Sequence, residues 1–194
     1  MSNQKRLIIN TADNSVTVRL RNVRLSFPNL FRPHAFQEGQ EAKYGATFIM
    51  QKAGDEQKNA DLVKQAVQEV IKMAFKGRNP GTDKLCLRDG ATKPDVDGYG
   101  NEVMFVTSSS SKKVPVVDRD LGDLIESDDR PYAGCYVNAT IRLWAQDNKY
   151  GKRVNGQLRA VQFWRDGEPF GNATANPEEE FSAGESDTPE ADVL

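Results

Sequence analysis

A mainly β fold with one helix is predicted by three observations. Alternating apolar and polar residues recur in several separate runs, which is the period of a half-buried strand. A single stretch carries helical spacing instead. Glycine- and proline-rich connections separate these segments, and the last two dozen residues have no pattern that a core could use.

The first run covers residues 15–27. Val16, Val18 and Leu20 alternate with Thr17, Arg19 and Arg21; then Val23, Leu25 and Phe27 alternate with Arg24 and Ser26. The apolar set changes phase near Asn22, as a β-bulge would make it do, so one strand can curl and serve both sides of a barrel. Pro28 is expected to end the run. Residues 44–50 form a second strand rich in aromatic and β-branched side chains. Residues 61–75 differ: Leu62, Val63, Ala66, Val67, Val70, Ile71 and Ala74 recur at helical spacing against Lys64, Gln65, Gln68, Glu69 and Lys72. Gly77 is the expected stop and Pro80 follows.

Residues 78–101 read as loop. Residues 103–108 are a strand leading into a flexible serine run, and residues 114–117 a short edge strand containing Pro115. In residues 136–145, Val137, Ala139, Ile141, Leu143 and Ala145 alternate with Tyr136, Asn138, Thr140, Arg142 and Trp144. A polar connection over 147–156 leads to a last strand over 158–164, and Asp166-Gly167 makes a tight turn. Five or six strands, one helix and long loops suit an OB-fold-like five-stranded barrel; a β-sandwich is the alternative architecture.

The chain has 194 residues, enough for one domain with a sizeable core. We take residues 1–171 as that domain and 172–194 as a disordered acidic tail. The net charge is −2, but seven of the 28 acidic side chains and none of the 26 basic ones fall after residue 171. The body is therefore basic, an asymmetry that points to a polyanionic ligand. No apolar run approaches the roughly 20 residues that cross a bilayer, and the N-terminal apolar stretch is too short for a signal peptide. A cytoplasmic location is expected. Cys86 and Cys135 are far apart and outside any C-x-x-C pattern, which fits buried thiols.

Catalysis finds little support. His34 is the one histidine, so a Cys/His metal cluster of ordinary spacing is not expected and any triad would have to use His34; no nucleophile elbow or P-loop occurs. Asp95-Val96-Asp97-Gly98 starts like a calcium loop, but the remaining ligand spacing fails. No enzyme activity and no metal or other cofactor is expected.

Single-strand binding needs cations along a groove and aromatic faces on which bases stack. Arg19 and Arg21 share one strand face. Lys43 and Tyr44 open the second strand and Lys52 closes it. Lys112 and Lys113 follow the serine run. Arg142 and Trp144 share a face opposite the apolar set, and Lys149, Tyr150, Lys152 and Arg153 lie at the tip of the last hairpin. These thirteen residues are the candidate DNA contacts. Phe27, Phe31, Phe48, Phe105 and Phe163 are assigned to the core. In the tail, Glu178, Glu179, Glu180 and Asp192 are candidate regulatory anions, because a tethered polyanion near a basic groove competes with phosphates.

Several segments together resemble a family of tailed-phage single-stranded DNA-binding proteins: RLSFPNLFRP at 24–33, KYGATFIMQK at 43–52, LRDG at 87–90, RPYAGCYVNATIRLWAQDN at 130–148 and DGEPFG at 166–171. The resemblance spans about residues 15–171. It implies an OB-fold core, a role in phage DNA replication, recombination and repair, an acidic C-terminus that meets replication proteins, and the host cytoplasm as location. Duplex DNA as a second ligand and a homodimer are left open. One departure is the ending Val193-Leu194, where related tails often finish on an aromatic residue. The competing readings are an acidic-tailed protein-interaction or virion structural module, and a carboxylate-metal nuclease.

Overall fold

A computed structural model describes residues 4–35, 37–54 and 57–171. The elements in chain order are β1 (Leu7–Asn10), β2 (Ser15–His34), β3 (Lys43–Gln51), α1 (Gln57–Phe75), β4 (Leu87–Asp89), β5 (Val103–Ser110), β6 (Val116–Val117), β7 (Tyr136–Asn148) and β8 (Gly151–Arg165). Five of the strands close into a barrel in the order β3-β2-β7-β8-β5, with β5 returning to β3. All of these ladders are antiparallel except the closing one, where β5 and β8 run parallel and share the pair Ser109–Gln157. The fold is thus the mainly β, OB-like barrel with one helix that the alternation predicts.

The phase change at Asn22 is real. The β2–β7 register slips between Leu20 and Val23, and Asn22 takes a positive φ of 52°, which asparagine tolerates better than most residues. Two asparagine side chains satisfy the backbone groups freed there. Asn138 Oδ1 accepts from the Asn22 N–H at 2.9 Å. Buried Asn59, on the first turn of α1, accepts from the Arg21 N–H and donates to the Arg21 carbonyl. The helix thereby fastens to the bulge, and its apolar face, Ala60, Val63, Ala66, Val67, Val70, Ile71 and Phe75, joins the barrel core. Each large side chain so buried contributes about 1.5–3 kcal/mol.

Several boundaries differ from the sequence reading: α1 begins at Gln57 rather than at residue 61, β4 lies inside the stretch 78–101 read as loop, and β6 is only Val116–Val117. The first long strand does not stop at Pro28 but runs on to His34, because a second register shift between Ser26 and Asn29 takes the proline out of the ladder. The serine run is not a flexible loop: Ser108, Ser109 and Ser110 are strand, paired with Ala46, Gly45 and Tyr44. Residues 147–156 are mostly β7–β8 ladder, paired as far as Asn148 and Gly151. At the end of α1 the left-handed turn begins on Lys76, at φ 53°, and Gly77 follows at φ 81°, its N–H donating to the Ile71 carbonyl. The edge strand β1 went unread.

The barrel seam between β5 and β8 is completed by a wedge. Cys86 donates its N–H to Val154 and accepts from the Thr107 N–H, so the segment before β4 fills the gap beside the Ser109–Gln157 pair. A smaller second cluster, Ile49, Val103, Phe105, Ala133 and Phe170 with Tyr99, lies on the outer face of β3 and β5. It anchors the loop over residues 90–101 and the last described residues.

Both cysteines are free and buried. Desolvation pushes the Cys86 thiol up to about 12 and the Cys135 thiol up to about 11. Neither is expected to react with a thiol-specific chromogenic reagent near pH 8 until the chain unfolds. Titration with and without denaturant checks this; rapid labelling of the native protein would contradict the burial. No described helix is long and apolar enough to cross a membrane.

Candidate nucleic-acid interface

The strand alternation leaves the outer faces of β3, β5, β8 and β7 side by side. Following the ladders sideways gives one row, Gly45–Ser109–Gln157–Arg142. Half of the β3–β5 outer face is covered by the second apolar cluster. The other half, with Thr47 and Thr107, opens into a groove of about 1190 Å³. Its walls hold Lys43, Lys84, Arg88, Arg142 and Arg153, and the aromatic rings of Phe27, Tyr44 and Trp144.

Local structure fixes several of these side chains. Arg142 donates to an Asp13 carboxylate oxygen at 2.8 Å and to Gln157 Oε1 at 3.3 Å, which lays its guanidinium along the barrel surface. Hydrogen bonds from Ser15 and from Arg142 hold the Asp13 carboxyl below the usual carboxylate range. This interaction is therefore present above the unfolded carboxylate pKa and is lost as pH falls through the depressed folded one. Arg88 donates to the carbonyls of Leu85 and Asp83, steadying the short turn Thr82–Lys84 that carries Lys84. Trp144 stands two residues from Arg142 on the same face of β7, opposite Asn155.

Phe27 is the residue that sequence reasoning misplaced. It is 47% exposed rather than core. Leu25 and Ser26 are both buried, so the phase slips a second time, and Phe27 takes a positive φ of 46° that turns its ring outward. The ring lies 6.3 Å from that of Tyr99, and the Lys93 ammonium sits 5.8 Å from its centre. Pro28 inside a strand was the available signal for such a bulge. Phe48 and Phe105 are buried as expected, and Phe31 and Phe163 pack partly against the core.

Of the predicted contacts, the groove brings together Lys43, Tyr44, Arg142, Trp144 and Arg153, and adds Phe27, Lys84 and Arg88. Lys52 lies at the other end of β3, where it binds the Asp89 carboxylate at 2.8 Å and the Asn101 carbonyl at 2.7 Å. Lys112 and Lys113 are exposed beyond Ser111 and do not line the groove. Lys149 and Tyr150 form the hairpin tip, the ammonium 5.1 Å from the ring. Lys152 leans toward Phe75 at the end of α1. Arg19 and Arg21 lie on β2, apart from the groove lining. Glu178, Glu179, Glu180 and Asp192 fall outside the described residues. Among the described residues no group of three or more histidine, cysteine or acidic side chains is placed to hold a metal ion.

The closed five-stranded barrel, with a cationic and aromatic groove across its outer face, places the chain among the OB-like binding folds. More closely, the chain belongs to the family described as "Enterobacter phage Enc34, ssDNA-binding protein", whose profile matches residues 16–194. The putative protein p50 of Acyrthosiphon pisum secondary endosymbiont phage 1 is 37% identical over 177 residues, covering 84% of this chain and 91% of that protein. Among solved structures, the single-stranded DNA-binding protein of bacteriophage Enc34 in complex with ssDNA matches with a TM-score of 0.69 and 28% identity, over 88% of this chain and 97% of that one. A C-terminal truncation of the same Enc34 protein matches with the same TM-score and identity, over 86% of this chain and 98% of that one.

Proposed function

We propose that this protein binds single-stranded DNA without sequence preference, along the groove across β3, β5, β8 and β7. The observation that carries this reading is the meeting of five cations and three aromatic rings in one open channel on the barrel face. Lysine and arginine neutralise phosphates and release counterions, while rings offer stacking surfaces that every base can use. The Enc34 relative, described in complex with ssDNA, supports the same ligand class. The protein serves phage DNA replication, recombination and repair in the host cytoplasm. The acidic segment 172–194 competes with DNA for the groove and meets replication proteins.

Fluorescence anisotropy with labelled oligo-dT over a range of salt tests this. Each phosphate contact on a single strand contributes about −0.7 to the slope of log affinity against log salt, so full use of five cations gives roughly −3.5. Absence of binding even at low salt overturns the reading. Removing residues 172–194 is expected to tighten binding most at low salt, since seven competing charges leave; equal affinity would count against a role for the tail in shielding the groove.

A further inference from the structure

A second cationic cluster lies outside the groove, where β1 runs along β2. Arg6 precedes β1, and Arg19 and Arg21 project from β2; all three are half-buried. Arg6 Nε donates to the Arg19 carbonyl at 3.1 Å, and its terminal nitrogen reaches Asn59 Oδ1. The Arg19 guanidinium rests on the Lys5 carbonyl. Arg21 donates to the Leu20 carbonyl at 3.3 Å and to Gln4 Oε1 at 3.2 Å. Every acceptor is neutral, and among the described residues none of the three guanidiniums meets a carboxylate.

Three like charges held in place by neutral acceptors repel one another. Burial lowers the guanidinium pKa of Arg6 and of Arg21, and in each case a neighbouring arginine adds to the effect. Both nonetheless stay charged, since arginine does not lose its proton in proteins. Such a cluster is relieved by a polyanion.

The cluster is also continuous with the groove. On the β2–β7 ladder Thr17 faces Arg142 and Arg19 faces Thr140, so Arg19 stands one diagonal step from a groove wall, a spacing of about 7–8 Å. The carboxylate on that route, Asp13, is already paired with Arg142. We infer that Arg6, Arg19 and Arg21 form a second phosphate-binding site, which takes the sugar-phosphate backbone of a strand leaving the groove past Arg142. This rests on the groove being a single-strand site.

The test compares the full-length protein with R19Q/R21Q on two labelled oligo-dT lengths, about 6 nucleotides to fill the groove and about 20 to run beyond it. On the long oligonucleotide the double variant is expected to lose about 1.4 from the magnitude of the salt slope, two phosphate contacts' worth. On the short one it should match wild type. R19K/R21K, which keeps both charges, should keep most of the slope. If the glutamine pair lowers the melting temperature, R19Q alone is read instead, with an expected loss of about 0.7 on the long strand only. Unchanged slope on the long strand, or equal losses on both lengths, overturns the inference. A groove variant such as W144A should weaken both lengths. If wild type binds neither length, the groove reading fails and this one with it.

Discussion

Replacing Phe27 with glycine is expected to weaken single-strand binding roughly five- to 150-fold, the equivalent of about 1–3 kcal/mol for one stacked base, without lowering the melting temperature. The two halves of this expectation have separate causes. The ring is exposed at the groove wall and has Tyr99 and Lys93 beside it, so its loss removes a stacking face. The backbone at Phe27 sits at φ 46°, a region that costs a residue with a side chain of order 1–3 kcal/mol and glycine little. Glycine therefore offsets the packing it removes. An alanine there loses the ring and keeps the strain, so F27A should melt lower than F27G while binding DNA equally poorly. Anisotropy on oligo-dT together with thermal denaturation separates these. Unchanged binding by F27G would remove Phe27 from the interface. W144A, in the same groove, should show a loss of similar size.

Gly156→Ala is expected to destabilise the fold by about 2–4 kcal/mol, a fall of roughly 5–15 °C in melting temperature for a domain of this size. Gly156 lies on β8 where it passes β5. A Cβ built there would stand 2.4 Å from the Thr107 carbonyl oxygen, a backbone atom that cannot swing aside. Moving it means parting the two strands that close the barrel. The equivalent change at Gly151, which has open space around its would-be Cβ but a φ of 102°, costs only the backbone term. Differential scanning calorimetry of both variants decides the matter: a G156A protein as stable as wild type would show that β5 and β8 do not approach this closely.

Much of this architecture was legible because buried strands advertise themselves. The alternation in residues 136–145 located β7 and its inward set, and the phase change at Asn22 announced the bulge that lets β2 curl. The helix was readable from spacing alone. What escaped was set by pairing rather than pattern. Ser108–Ser110 have no apolar signature, and they are strand because Tyr44–Ala46 lie beside them. β1 is an edge strand with Ile8 and Ile9 exposed, so burial left little imprint on its sequence. The candidate site followed the same division. Arg142 and Trp144 line the groove, and their outward placement was readable because they oppose a clear apolar set. Lys84 and Arg88 came from a stretch read as loop, and Lys52 lies outside the groove beside a partner, Asp89, that nothing in sequence announces. Charge identity is visible in a sequence, but pairing is a property of the fold.

The parallel contact between β5 and β8 is a single residue pair beside a wedge of one short segment. A barrel fastened so sparingly at one seam should breathe there before it opens anywhere else. Amide hydrogens of Ser109 and Gln157 are then expected to exchange with solvent faster than those in the middle of the β7–β8 ladder. The groove lies directly over that seam, with Ser109 on one bank and Gln157 on the other. A strand lying across it would clamp both banks, so that occupancy is recorded as slowed exchange at the seam as well as at the residues it touches.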